Sequence, residues 1–149
     1  MPVMGFVKFE RFFQAAGGVD VDRNDMKRYL EFVNRTIYDL LVIGQAHAES
    51  NGRDTIEPSD LTITAGLQET ISEFRKLDEG IELRPILDYI AVRPPLSAIM
   101  SDDTQQGLPE VFGGISVALA RTLKILDPSA RGVPPAEWDR AFRIFDLLI

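Results

Sequence analysis

Arg53-Asp54-Thr55-Ile56-Glu57-Pro58-Ser59-Asp60 is the stretch on which the reading of this chain turns. It follows Asn51-Gly52, a helix-stop signal, and forms a short extended loop before Pro58, which suits a first helical position because its missing N–H would find no partner there. A carboxylate close behind, Asp60, is favoured by the positive end of a helix dipole. Arg53 precedes Asp60 by seven residues, so its planar fork can return to that carboxylate with paired hydrogen bonds. The plainer alternative is a loose surface ion pair worth roughly 0–1 kcal/mol.

Outward from this loop the chain reads as helices. Apolar residues recur at intervals of three and four, and no stretch sustains period-2 alternation. Upstream, Asp22 is placed to cap and Asp25 to favour the first turn of a long helix over 22–50 that carries Met26, Tyr29, Leu30, Val33, Ile37, Leu40, Leu41, Gly44 and Ala48. Before it, Phe6, Phe9, Phe12, Phe13 and Ala16 form the stripe of a short helix stopped at Gly17-Gly18. Downstream, a third helix begins after Pro58, shows Leu61, Thr64, Leu67, Ile71 and Phe74 on one face, and ends near Gly80.

The order then recurs. Residues 83–92 predict a short helix with Leu83, Ile86, Leu87 and Ile90, stopped by Arg93-Pro94-Pro95, and Leu96 to Met100 is an apolar connector. A second long helix carries Leu108, Val111, Phe112, Ile115, Ala118, Leu119, Thr122 and Leu126. Its start lies at Ser101 or Gly107 on capping signals, but a proline inside a helix costs about 3 kcal/mol, so Pro109 favours a start near Leu108 and a helix over 108–127. Asp127-Pro128 ends it. Trp138, Ala141, Phe142, Phe145 and Leu148 line a last helix after Pro134-Pro135.

Short helix, long central helix, extended loop and shorter helix, twice in tandem, resembles the histone fold. Arg53, Thr55 and Asp60 match the second loop and third-helix start of archaeal and eukaryotic core histones. Over its whole length the chain is similar to a small bacterial family of fused histone-fold doublets. That resemblance implies an all-α tandem pseudodimer, with residues 1–80 and 81–149 as halves of one compact domain that shares a core and needs no second subunit. It also implies a structural clamp between Arg53 and Asp60. In the second half Arg131 precedes Asp139 by eight residues, with no Thr at the family position, so a weaker clamp is expected there. The resemblance carries over no settled biochemical role.

Residue chemistry excludes more than it suggests. Without cysteine there is no disulfide, thiolate metal site or Cys nucleophile. His47 is the sole histidine; His47-Ala48-Glu49 lacks the Cys pair of a zinc deaminase, and no second His follows at zincin spacing. Asp102-Asp103 reads as helix N-terminal charge, and Gly17-Gly18 and Gly113-Gly114 lack the Lys-Ser/Thr of a phosphate loop. The expectation is a non-enzyme with no metal and no cofactor. No apolar run reaches a membrane span and the N-terminus lacks a signal-peptide layout, which predicts a cytoplasmic protein.

Charge decides between partners. Sixteen basic against 23 acidic residues give −7. By resemblance Arg53 and Thr55 are the candidate DNA phosphate contacts, yet each loop that would face DNA is acidic. Residues 17–25 set Arg23 against Asp20, Asp22 and Asp25; residues 51–60 set Arg53 against Asp54, Glu57 and Asp60. Residues 101–107 hold Asp102 and Asp103, and 127–139 set Arg131 against Asp127, Glu137 and Asp139. Since phosphate neutralisation supplies most DNA affinity, the favoured reading is a protein-interaction or assembly module with an unknown protein partner. A weak or specialised nucleoid protein is the alternative.

Overall fold

The first short helix, α1 (Phe6–Gly17), buries Phe9, Phe12 and Phe13 and ends where Gly18 turns left-handed at φ 67°. The long α2 (Arg23–Ser50) starts from a reciprocal cap in which Asp22 and Asp25 each accept the other's backbone N–H at 2.9 Å. Beyond it lie β1 (Thr55–Ile56), a 3-10 turn (Pro58–Asp60) and α3 (Ala65–Ile81). Then come β2 (Ile99–Met100), α4 (Asp102–Leu126) and α5 (Pro135–Leu148). The computed structural model describes residues 5–81, 99–129 and 132–148. The helix expected at 83–92 and most of the connector after it lie outside the described residues.

The chain is mostly helical, as expected, and the extended loop supplies a short bridge in which Thr55 and Ile56 pair in parallel with Ile99 and Met100. Two expectations need correction. The helix after Pro58 is delayed, because Pro58 opens only the 3-10 turn and α3 starts at Ala65, behind Thr64, whose hydroxyl accepts the Leu67 N–H at 3.1 Å. The second long helix begins at Asp102, not near Leu108, with Pro109 inside it. Ser101 fixes that start: its side chain accepts the Thr104 N–H at 3.1 Å, and two carboxylates follow in the first turn. Burial of Leu108, Pro109 and Phe112 offsets the hydrogen bond that the proline cannot donate.

One apolar cluster draws on α1, α2, α3, α4 and α5. The two short helices α1 and α3 lie chiefly against α4 and much less against α2, their immediate chain neighbour. Small residues make this possible. A Cβ on Gly113 would enter the Phe74 ring and one on Gly114 would strike Ile71, while Gly17 rests on the backbone of Ala120. Aromatics close the opposite side: Phe13 meets Trp138 at 5.9 Å between ring centroids, and Phe32 stacks on Phe142 at 4.7 Å.

Candidate functional site

Two places offer themselves, a polar corner at the end of α2 and an apolar groove on its flank. At the corner, α2 stops as Gly52 takes φ 74° and the Arg53 N–H returns to the Ala48 carbonyl at 2.9 Å. This turn throws the Arg53 side chain back over the loop. Its Nη1 and Nη2 donate to Asp60 Oδ2 and Oδ1 at 2.7 and 2.8 Å, and Nη1 also donates to the Thr55 carbonyl at 3.1 Å. Asp60 Oδ2 further accepts the Glu57 N–H at 2.8 Å.

Asp60 is 3% exposed. Its hydrogen bonds from Arg53, then from the Glu57 N–H, outweigh the desolvation and hold its carboxyl down at about 2. The bonds to Asp60 in turn push the Arg53 guanidinium up. This corner is tied to the rest of the fold through one carbonyl. Ile56 O accepts both the Ser101 N–H at 3.0 Å and the buried Thr104 hydroxyl at 2.8 Å. The sequence offered Ser101 as one of two possible helix starts, and the part played by Thr104 was not legible in it, because the Ile56 carbonyl that its hydroxyl binds is distant in the chain.

The other candidate residues fare differently. Thr55 is half-buried, and its hydroxyl donates to Asp54 at 3.2 Å, away from Arg53. Asp139 is exposed on α5, and Arg131 lies outside the described residues. His47 is exposed, and its carbonyl accepts from Asn51. Among the described residues no group of three His, Asp or Glu side chains could hold a metal ion, and no helix is long and apolar enough to cross a membrane.

A family model matches residues 9–146. The chain belongs to the family described as Domain of unknown function (DUF1931). This DUF1931 member is similar to a crystal structure from Thermus thermophilus, 45% identical with TM-score 0.85, covering 98% of this chain and 99% of that one. A crystal structure from Aquifex aeolicus is 25% identical with TM-score 0.82, covering 97% and 95%. An uncharacterized protein from Aquifex aeolicus (strain VF5) is 28% identical over 120 residues, 80% of this chain and 70% of that protein. None of these relatives bears the name of an enzyme activity.

The second place in this DUF1931 member is apolar. On α2, Tyr38, Val42 and Ile43 are 40%, 40% and 48% exposed, and at the end of α5 Leu147 and Leu148 are 85% and 76% exposed. Between them runs a groove of about 270 Å³ lined by Leu40, Ile43, Leu67 and Leu148, with Thr62, Thr64 and Asp39 at its polar edge. Arg35 and Asp146 pair across the same helices at 3.3 Å. The apolar stripe read from the sequence does not include Val42 and Ile43, which sit on the helix beside the buried Leu40, Leu41 and Gly44.

One buried carboxyl lies elsewhere. Burial pushes Asp25 up, opposed by the Asp22 backbone N–H and by Arg28, 3.6 Å away. The Trp138 indole is near enough to oppose it slightly, although its Nε1 closes no hydrogen bond. These contacts tie the start of α2 to α5 and present no reactive group to solvent.

Proposed function

We propose that this chain is a histone-fold pseudodimer, halves 1–80 and 81–149, that works without catalysis as a cytoplasmic protein-interaction or assembly module. Its support as a pseudodimer is that the first half takes its packing partner from the second. The short helices α1 and α3 rest on α4, the long helix of the other half. The loop after one long helix also pairs in parallel with the segment before the other. Arg53 and Asp60 then serve as the clamp that holds that loop to the following turn.

The observation that carries the interaction reading over a DNA role is the use already made of Arg53. Both its terminal nitrogens are committed to Asp60 and the Thr55 carbonyl, in a loop that is acidic overall. A phosphate would have to displace a carboxylate held by three hydrogen bonds, with no net positive field to draw it in. The nucleoid reading keeps one point in its favour, since the Arg53 side chain bonds the Thr55 carbonyl and is 36% exposed.

Duplex DNA titrated with purified protein at about 50 and 200 mM salt separates them. The expected result is no saturable binding at micromolar protein. Submicromolar binding that weakens with a salt slope of about −0.9 per phosphate, and is lost in Arg53→Ala/Thr55→Ala, would replace the interaction reading with the nucleoid one. Affinity capture from the source cell completes the test: the module reading expects a reproducible protein partner, and repeated capture of none removes it.

A further inference from the structure

We infer that the groove between α2, the start of α3 and the end of α5 receives a basic amphipathic helix from another protein, an assignment that rests on the interaction reading. The groove has what such a helix needs. Its floor is the buried Leu40 and Leu67, and its walls are the exposed Ile43 and Leu148. Large apolar side chains gathered at one helix flank, with a polar rim, mark a binding surface where scattered ones do not. A helix seats its i, i+3, i+4 and i+7 residues in a channel of this kind.

Charge selects the occupant. Asp39 stands on the groove edge, and the chain carries −7 overall. A second copy docking by twofold symmetry would bring Asp39 and its own acidic field against the same groups, an arrangement electrostatics opposes. An anionic lipid surface is opposed on the same ground. A helix with a leucine-like face flanked by Lys or Arg satisfies the apolar walls, the Asp39 carboxylate on the rim and the net negative charge of the chain.

The test uses a fluorescent helical peptide of leucine and lysine, leucines at i, i+3, i+4 and i+7, with a leucine and glutamate peptide as counterpart. The intact chain is expected to bind the lysine peptide saturably and the glutamate peptide not at all. Ile43→Ser/Leu148→Ser, at two exposed positions that keep the charge unchanged, is expected to weaken binding at least fivefold with circular dichroism and melting temperature intact. Asp39→Lys weakens it as well, and Ile125→Ser, on the exposed end of α4, leaves it unchanged. A smaller loss in the double variant, equal binding of the glutamate peptide, or self-association of the parent chain abolished by the double variant each overturns the assignment. A cellular partner that binds the double variant as tightly as the parent removes the groove from the interaction while leaving the interaction reading in place.

Discussion

The two long helices differ in what surrounds them. Helix α2 buries a stripe at Tyr29, Phe32, Val33, Thr36, Ile37, Leu40, Leu41, Gly44 and Ala48 and turns its other face outward. Helix α4 has no such dry and wet faces over its middle: every residue from Val111 to Val117 is buried, as are Leu119, Ala120 and Leu123. A helix apolar all round belongs inside. In this chain α1 and α3 wrap α4, whereas among the described residues the outer face of α2 stays uncovered, and that is where Tyr38, Val42 and Ile43 lie exposed. The difference separates a helix whose sequence is constrained by packing from one with a surface left for other work.

The sharpest way to break this contrast lies within α4 itself. Gly113→Ala places a methyl group inside the ring of the buried Phe74 and is expected to cost about 3 kcal/mol or to abolish folding. Gly107→Ala, in the same helix with nothing within 4 Å of its new Cβ, is expected to stabilise by about 0.5–1 kcal/mol. Denaturant midpoints for the pair measure both. Equal effects at the two positions would mean that α3 does not press on α4 as described.

A smaller effect is expected at the polar corner. Arg53→Ala leaves the Asp60 carboxylate buried without its fork and should lower the melting temperature by about 5 °C, with exposed Arg143→Ala close to zero. Arg75 would be a poor control, since it pairs with Glu110. The corner also has a pH signature. Asp60 sits at about 2 in the fold against 3.8 for the free group, so its contribution is complete above about pH 4 and is lost as pH falls towards 2. Asp60→Asn should remove that part of the acid unfolding profile, and an unchanged profile would mean that the depressed carboxyl is some other group.

The smallest expected change joins the two long helices. Tyr29 and Ser116 share a buried hydrogen bond of 2.8 Å between α2 and α4, and burial pushes the Tyr29 hydroxyl up to about 12. Tyr29→Phe should cost about 1 kcal/mol, because the Ser116 hydroxyl keeps the Phe112 carbonyl as its acceptor. A loss as large as that of Gly113→Ala would place this polar contact, and not the glycine seam, at the centre of helix pairing.

By itself the sequence determined the helical class, the cap at Asp22, the stops at Gly18 and Gly52, and the Arg53–Asp60 spacing. Those features depend on residues within about seven positions of one another, where propensity, capping and side-chain reach act directly. It misplaced the start of α4, because the proline penalty at Pro109 was weighed against local signals alone. The deciding contacts are non-local: the Ser101 N–H and the Thr104 hydroxyl both bind the carbonyl of Ile56, far away in the chain. The parallel bridge, the choice of α3 as the helix that covers the packing pair Gly113-Gly114, and the exposed apolar face of α2 were likewise decided only in the tertiary structure. Hydrophobic periodicity says that a face is apolar; which neighbour covers it, or whether any does, depends on how the helices pack in three dimensions.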